Sequence, residues 1–180
     1  MIYEFLAQGF EEIEAVTPLD LLRRAGKEVI TVGVNSNEIT GRSNIKITAD
    51  AEISEISLNK NVEMIVLPGG APGYENLYAS EKVREAVTFC AENDIYIAAI
   101  CGAPTILGRM GLLKGITAVC YPGCEDYLEG AVICGKSVVA DGKIITAKGA
   151  GVSLQFGLKL VETLCDSAAA EELSKALQCD

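Results

Sequence analysis

The chain has 180 residues, 49% of them hydrophobic and 22% charged, with 15 Lys+Arg against 25 Asp+Glu and a net charge of −10. That size and composition suit a folded domain with a real core, read as one domain over 1–180, and exclude a disordered chain. The absence of His excludes a Ser-His-Asp triad, a Cys-His dyad and any His-ligated zinc or haem, and the acidic balance argues against a nucleic-acid surface, which needs a basic patch.

Ile2 to Ala7 reads as a first strand, turned by Gly9-Phe10. Glu11 to Ala25 reads as a helix with Ile13, Val16, Leu19, Leu21 and Leu22 on its apolar side. Pro18 is expected to kink or restart it, and Gly26 to end it. Val29 to Val34 is a second strand, and Glu38 to Ala49 a hairpin candidate around Gly41-Arg42-Ser43-Asn44. Met64 to Leu67 is a buried strand running into Pro68-Gly69-Gly70-Ala71-Pro72-Gly73. Ser80 is expected to cap a helix reaching about Asp94. Tyr96 to Ile100 is an apolar strand, Gly102 to about Met110 a helix, and Ile116 to Cys120 a further strand. Ser137 to Ala140 and Lys143 to Ala147 read as a hairpin with a type I′ turn at Asp141-Gly142. Helices are expected over Val152 to Leu164 and Ala168 to Leu177. Strands alternating with helices imply an α/β fold, its mostly parallel sheet covered on both faces and its crevice at the carboxyl ends of the strands.

The seven cysteines are Cys90, Cys101, Cys120, Cys124, Cys134, Cys165 and Cys179. Met1-Ile2-Tyr3-Glu4 carries no basic leader, and the longest uncharged stretch, Ile95 to Gly108, is too short to span a bilayer. A cytoplasmic protein with free thiols is expected. Cys120, Cys124 and Cys134 do not have zinc-ligand spacing, so no metal is expected.

The most informative stretch is Ala98-Ala99-Ile100-Cys101-Gly102-Ala103-Pro104-Thr105. A strand ends at Cys101 and a helix begins at once, with small residues where a tight turn is crowded, as in a nucleophile elbow. A helix N-terminus favours an anion, so a lowered thiol pKa and a usable thiolate are expected there. The other buried cysteines read as small core residues. Without His, a carboxyl is the available partner. In Glu11-Glu12-Ile13-Glu14, acidic residues suit a helix's first turn, and two of the three are expected to serve only that. Glu14 lies on a different face from Glu12; if it points inward beside a thiolate, the two groups share one proton. The amides of Gly69, Gly70 and Gly102 could line an oxyanion hole at the same sheet edge. No Walker or G-x-G-x-x-G phosphate loop is present.

These segments, with Arg23-Arg24-Ala25-Gly26 and Lys148-Gly149-Ala150-Gly151, resemble the ThiJ/PfpI superfamily, in its DJ-1/YajL-like branch, over nearly the whole chain. The resemblance implies a flavodoxin-like three-layer sandwich, usually a homodimer, with no cofactor; from the charge and the short uncharged stretch, no nucleic-acid or membrane partner is expected. It implies that Cys101 is the reactive cysteine and Glu14 its protonated partner, with Gly70 and Gly102 completing an anion site beside Gly69. Proteins like this have been described as cofactor-free glyoxalases, protein deglycases, and oxidative-stress sensors or chaperones in which the elbow cysteine becomes a sulfinic acid. Two positions depart from the pattern. Gly102 stands where protease-like relatives place His, so peptidase activity is not expected. Tyr121 stands where a pocket His is often found, and Tyr is a poor base near pH 7.

Two functional readings follow. In one, a Cys101 thiolate adds to a small aldehyde such as methylglyoxal or its adducts and Glu14 moves the protons. In the other, Cys101 oxidation switches a sensor or chaperone. Whether Arg24 or Arg42 reaches the pocket stays open at this level.

Overall fold

The structure, a computed structural model, describes residues 1–179. Its strands and helices run in the order β1 (Ile2–Leu6), α1 (Glu12–Arg24), β2 (Val29–Gly33), β3 (Glu38–Thr40), β4 (Lys46–Thr48), β5 (Ala51–Glu52), β6 (Met64–Leu67), α2 (Gly73–Ala79) and α3 (Glu81–Glu92). They continue with β7 (Tyr96–Ile100), α4 (Pro104–Arg109), β8 (Thr117–Ala118), β9 (Val132–Ile133), β10 (Val138–Asp141), β11 (Ile144–Ala147), α5 (Ser153–Leu164) and α6 (Ser167–Ala176).

Seven strands form the central sheet in the order β10-β11-β7-β6-β1-β2-β5. Every pairing in it is parallel except that of β10 with β11. The interior strands are apolar on both faces because helices cover both. On one face Tyr3, Phe5, Ile65, Leu67, Ile97 and Ala99 pack under Val83, Val87, Ile106 and Leu107 of α3 and α4. On the other, Ile2, Met64, Val66, Ala98 and Ile145 pack under Leu21 and Leu22 of α1 and Phe156, Leu160 and Val161 of α5. This is the flavodoxin-like three-layer arrangement. Each fully buried Leu, Ile or Phe of these layers contributes about 1.5–3 kcal/mol. One residue breaks the pattern: Glu4, at the centre of β1 between Thr31 and Val66, is wholly buried.

Local chemistry explains most boundaries. Ser80 caps α3 by accepting from the Val83 N–H at 3.4 Å, and Asp166 caps α6 by accepting from the Ala169 N–H at 2.8 Å. The hairpin of β3 and β4 forms as expected. Three expectations need correction. The apolar side of α1 is only partly the one expected: Leu21 and Leu22 are buried and Leu19 packs against their cluster, but Ile13 and Val16 do not join them. Ile13 and Val16 are exposed, and the buried face is Glu14, Ala15, Pro18, Leu21 and Leu22, because α5 packs along that side. Pro18 does not restart the helix; α1 runs through it, forgoing only the bond that the Pro18 nitrogen cannot donate. In the β10–β11 hairpin, Asp141 pairs with Ile144, so Gly142 and Lys143 are the central residues. Of these two, Gly142 alone has a positive φ, 57°, as in a type II′ turn rather than I′. The helix α2, which begins in the Gly-Pro loop, was not anticipated.

Candidate active site at the carboxyl edge of the sheet

Three strand exits converge. After β7, Cys101 turns the chain with φ 66°, a left-handed conformation that costs a non-glycine residue of order 1–3 kcal/mol. Its N–H donates to the Ala147 carbonyl at 2.9 Å, and its carbonyl accepts from the Tyr121 N–H at 2.8 Å. The strain is therefore held from both sides. After β6, Gly69 and Gly70 pass directly beneath this turn. After β1, the Glu11 N–H donates to the Gly69 carbonyl at 3.0 Å, which ties the start of α1 to the β6 exit.

That tie aims Glu14 inward. Its side chain is 1% exposed, and its Oε2 accepts from the Gly69 N–H at 3.0 Å. It also hydrogen-bonds the Cys101 thiol and accepts from the Ala150 N–H. Gly69 makes the encounter possible. A Cβ there would lie 2.6 Å from both Cys101 Cβ and Glu14 Oε2. The amides of Gly70 and Gly102 donate to the Cys101 sulfur. At Gly102 a Cβ would run into the Tyr74 ring at 2.6 Å, so the ring covers the elbow only because the position is glycine.

Burial pushes both ionisable groups up. Glu14 reaches about 7, first through burial, with the Cys101 and Gly69 hydrogen bonds opposing. Cys101 reaches about 12, first through burial, then through the negative charge of Glu14 and the hydrogen bond to it. The expected lowering of the thiol by a helix N-terminus is corrected accordingly. The helix α4 has only six residues and starts three positions beyond Cys101, so its dipole is small against the desolvation of the sulfur. The Gly70 and Gly102 amides do favour the anion. A proton on Glu14 removes the two causes that involve it, so the acid and the thiol titrate as a pair.

Above the pair lies a cavity of about 260 Å³ whose walls include Arg42, Tyr74, Gly102, Tyr121 and Cys124. Arg42 reaches it, with Nε 3.5 Å from Glu11 Oε2, whereas Arg24 pairs with Asp20 at 2.7 Å on the outer face of α1. The structure thus brings together Cys101, Glu14, Gly69, Gly70, Gly102 and Tyr121. Gly69 differs from expectation in one respect: its N–H is used by Glu14, so the donors on the sulfur are those of Gly70 and Gly102 alone. Of the two arginines left open, Arg42 is the one at the cavity; Tyr74, Cys124 and the Ala150 amide were missed as site groups, although Ala150 lies in the glycine-rich segment that the sequence had marked. A wider groove of about 330 Å³ between Ile53, Ser57 and Lys82 contains no cysteine.

A cysteine and a buried acid beneath a small cavity can add a thiol to an electrophilic carbon and carry its proton. The sequence pattern of the DJ-1/PfpI family matches residues 1–163. The chain belongs to this family. Among its DJ-1 relatives, the protein dj-1beta of Drosophila melanogaster is 34% identical over 175 residues, covering 96% of this chain and 93% of that protein. The structure of oxidized Toxoplasma gondii DJ-1 superposes with a TM-score of 0.94 at 32% identity, covering 98% of this chain and 97% of that one. A Caenorhabditis elegans relative, the glutathione-independent glyoxalase DJR-1.2, is 30% identical over 155 residues, 86% of this chain and 82% of that protein. Among the described residues, no helix is long and apolar enough to cross a membrane. No group of three or more His, Cys, Asp or Glu among them is arranged to hold a metal.

Proposed function

We propose that this DJ-1/PfpI protein is a cofactor-free enzyme for reactive carbonyls, converting a 2-oxoaldehyde such as methylglyoxal to a 2-hydroxy acid. The observation that carries the reading is the buried Cys101–Glu14 hydrogen bond beneath a cavity of small-molecule size. The Cys101 sulfur adds to the aldehyde carbon, and its proton passes through Glu14 to the new oxygen, giving a hemithioacetal. The Gly70 and Gly102 amides stabilise the charge that develops there. Glu14 then removes the proton from the former aldehyde carbon, giving an enediol, and returns it to the neighbouring carbon. The result is a thioester on Cys101, which water hydrolyses to the 2-hydroxy acid and free thiol. Overall, aldehyde plus water gives acid, with no external redox partner. Arg42 steadies the second carbonyl oxygen from the cavity wall. Release of early glycation adducts from proteins uses the same first attack.

The test is methylglyoxal consumption with lactate formation, without glutathione, for the wild type against Cys101→Ser. Lactate made by the wild type and absent in the variant supports the reading. Aldehyde loss without lactate, or equal loss in both proteins, removes it and leaves simple scavenging.

A second reading has its own observation. Two amides and a carboxyl surround the one sulfur, which is the donor set a sulfinate needs, and a similar structure is that of an oxidized DJ-1. In that reading Cys101 oxidation is the function. Peroxide should then modify Cys101 before the other six cysteines and change thermal stability; equal modification of several thiols counts against it.

A further inference from the structure

A second pair of thiols lies beside the same cavity, and the Cys101 chemistry does not use it. Cys120 and Cys124 flank Tyr121-Pro122-Gly123, the segment that follows β8. The Cys124 N–H donates to the Tyr121 carbonyl at 3.0 Å, closing a turn, and also donates to the Cys120 sulfur. That second bond lays the Cys120 sulfur against the backbone of Cys124. The turn holds Tyr121 within about 7 Å of Cys124; Cys120 is the residue just before it and packs with Cys124 into one apolar cluster, and a disulfide bridges Cα atoms up to about 7 Å apart. The negative charge of Glu125 acts on both thiols, and the positive charge of Arg109 opposes it at Cys124. Cys120 is 5% exposed and packs into the core. Cys124 is part-buried and lines the cavity, where small molecules reach it. The arrangement is one accessible sulfur with a sheltered one close behind it.

We propose that Cys120 and Cys124 form a reversible intramolecular disulfide, a second redox-modification site distinct from Cys101, with a hydroperoxide as oxidant. The Cys124 sulfur attacks the terminal peroxide oxygen; the O–O bond breaks, an alcohol or water leaves, and Cys124 becomes a sulfenic acid. The Cys120 sulfur then displaces that oxygen as water, its own proton leaving with it, and the S–S bond forms. Two thiols lose two electrons in total, and the peroxide gains them. The bond would be felt at the elbow, because the Tyr121 N–H of this same turn donates to the Cys101 carbonyl. Closing the disulfide fixes one wall of the cavity.

The experiment uses the full chain with Cys101→Ser, which removes the competing thiol and makes the result independent of the carbonyl reading. After limited hydrogen peroxide, thiol counting should show the loss of two thiols, both restored by dithiothreitol. Peptide mapping without reductant should find Cys120 joined to Cys124. Adding Cys124→Ser should abolish the loss. Adding Cys120→Ala should instead leave Cys124 as a sulfenic acid that dimedone traps. No thiol loss in the folded protein would overturn the proposal. So would Cys124 joined to another cysteine, or Cys124 oxidised without joining Cys120 while Cys120 is present.

Discussion

Two wholly buried glutamates, one on β1 in the sheet and one on α1 that covers it, do opposite things. Glu4 is 0% exposed at the centre of the sheet, and Glu14 is 1% exposed at its carboxyl edge. Neither oxygen of Glu4 has a hydrogen-bond partner, whereas Glu14 is met by Gly69, Ala150 and Cys101. Burial raises both. Glu4 is held well above the ordinary carboxylate range, with only the Arg23 charge opposing; Glu14 stops at about 7. Burial alone makes a carboxyl neutral and inert. Burial with three donors leaves it neutral or charged at almost equal cost near neutral pH, which is what proton transfer requires.

The sharpest way to break this contrast is Glu14→Gln, which keeps the shape and removes the exchangeable proton. Lactate formation should fall ~10²–10⁴-fold, the usual worth of a general acid–base. The wild-type rate should rise as pH passes about 7, where Glu14 becomes the base, and the variant should lose that rise. Steady-state kinetics against pH measure both; an unchanged profile would separate Glu14 from the chemistry.

Glu4→Val should leave turnover alone and change stability instead. The folded state keeps the Glu4 proton after the unfolded chain has lost its own, so the unfolded state binds fewer protons above the ordinary pKa of 4.5. Stability is therefore fully present below that value and falls as pH rises toward the folded-state pKa, by about 1.4 kcal/mol per pH unit for a full proton. Glu14 adds a slope of the same sign up to about 7, so the Glu4 share is the difference between wild type and variant. Urea unfolding from pH 5 to pH 8 should show the variant more stable at the alkaline end, with a shallower decline. A wild-type curve parallel to the variant's would show that Glu4 finds a partner in solution.

The smallest effect belongs to Arg42, whose charge is about half exposed beside Glu11. Arg42→Gln should raise KM roughly two- to fivefold and leave kcat nearly unchanged, as expected for a screened surface charge. A fall in kcat instead would move Arg42 from the cavity wall into the proton-transfer machinery.

The sequence carried the strand alternation, the β7 exit and the small residues around Cys101, because tight turns and parallel core strands tolerate few residue types. It marked Glu14 as a candidate and left its direction open. That direction depends on the Glu11–Gly69 bond, which joins positions distant in the chain. The burial of Glu4 could not be read, since one carboxyl in an apolar hexapeptide does not say which face it takes or what lies above it. The helix α1 misled for a related reason. Ile13 and Val16 form a plausible stripe, but α5 claims the side bearing Glu14 and Pro18. The thiol's pKa followed a local argument about helix ends and missed desolvation, a property of the whole surround.

The ends of the sheet carry a consequence for solubility. One edge is β5, only two residues long. At the other, the Asp141 carboxylate of β10 accepts from the Thr117 N–H of the neighbouring β8 at 2.7 Å. Long, flat, unpaired edges are where foreign strands add and aggregation begins. A chain that is 49% hydrophobic thus presents, at one end, a stub too short to template a new strand and, at the other, a margin tied to a neighbouring strand by a carboxylate.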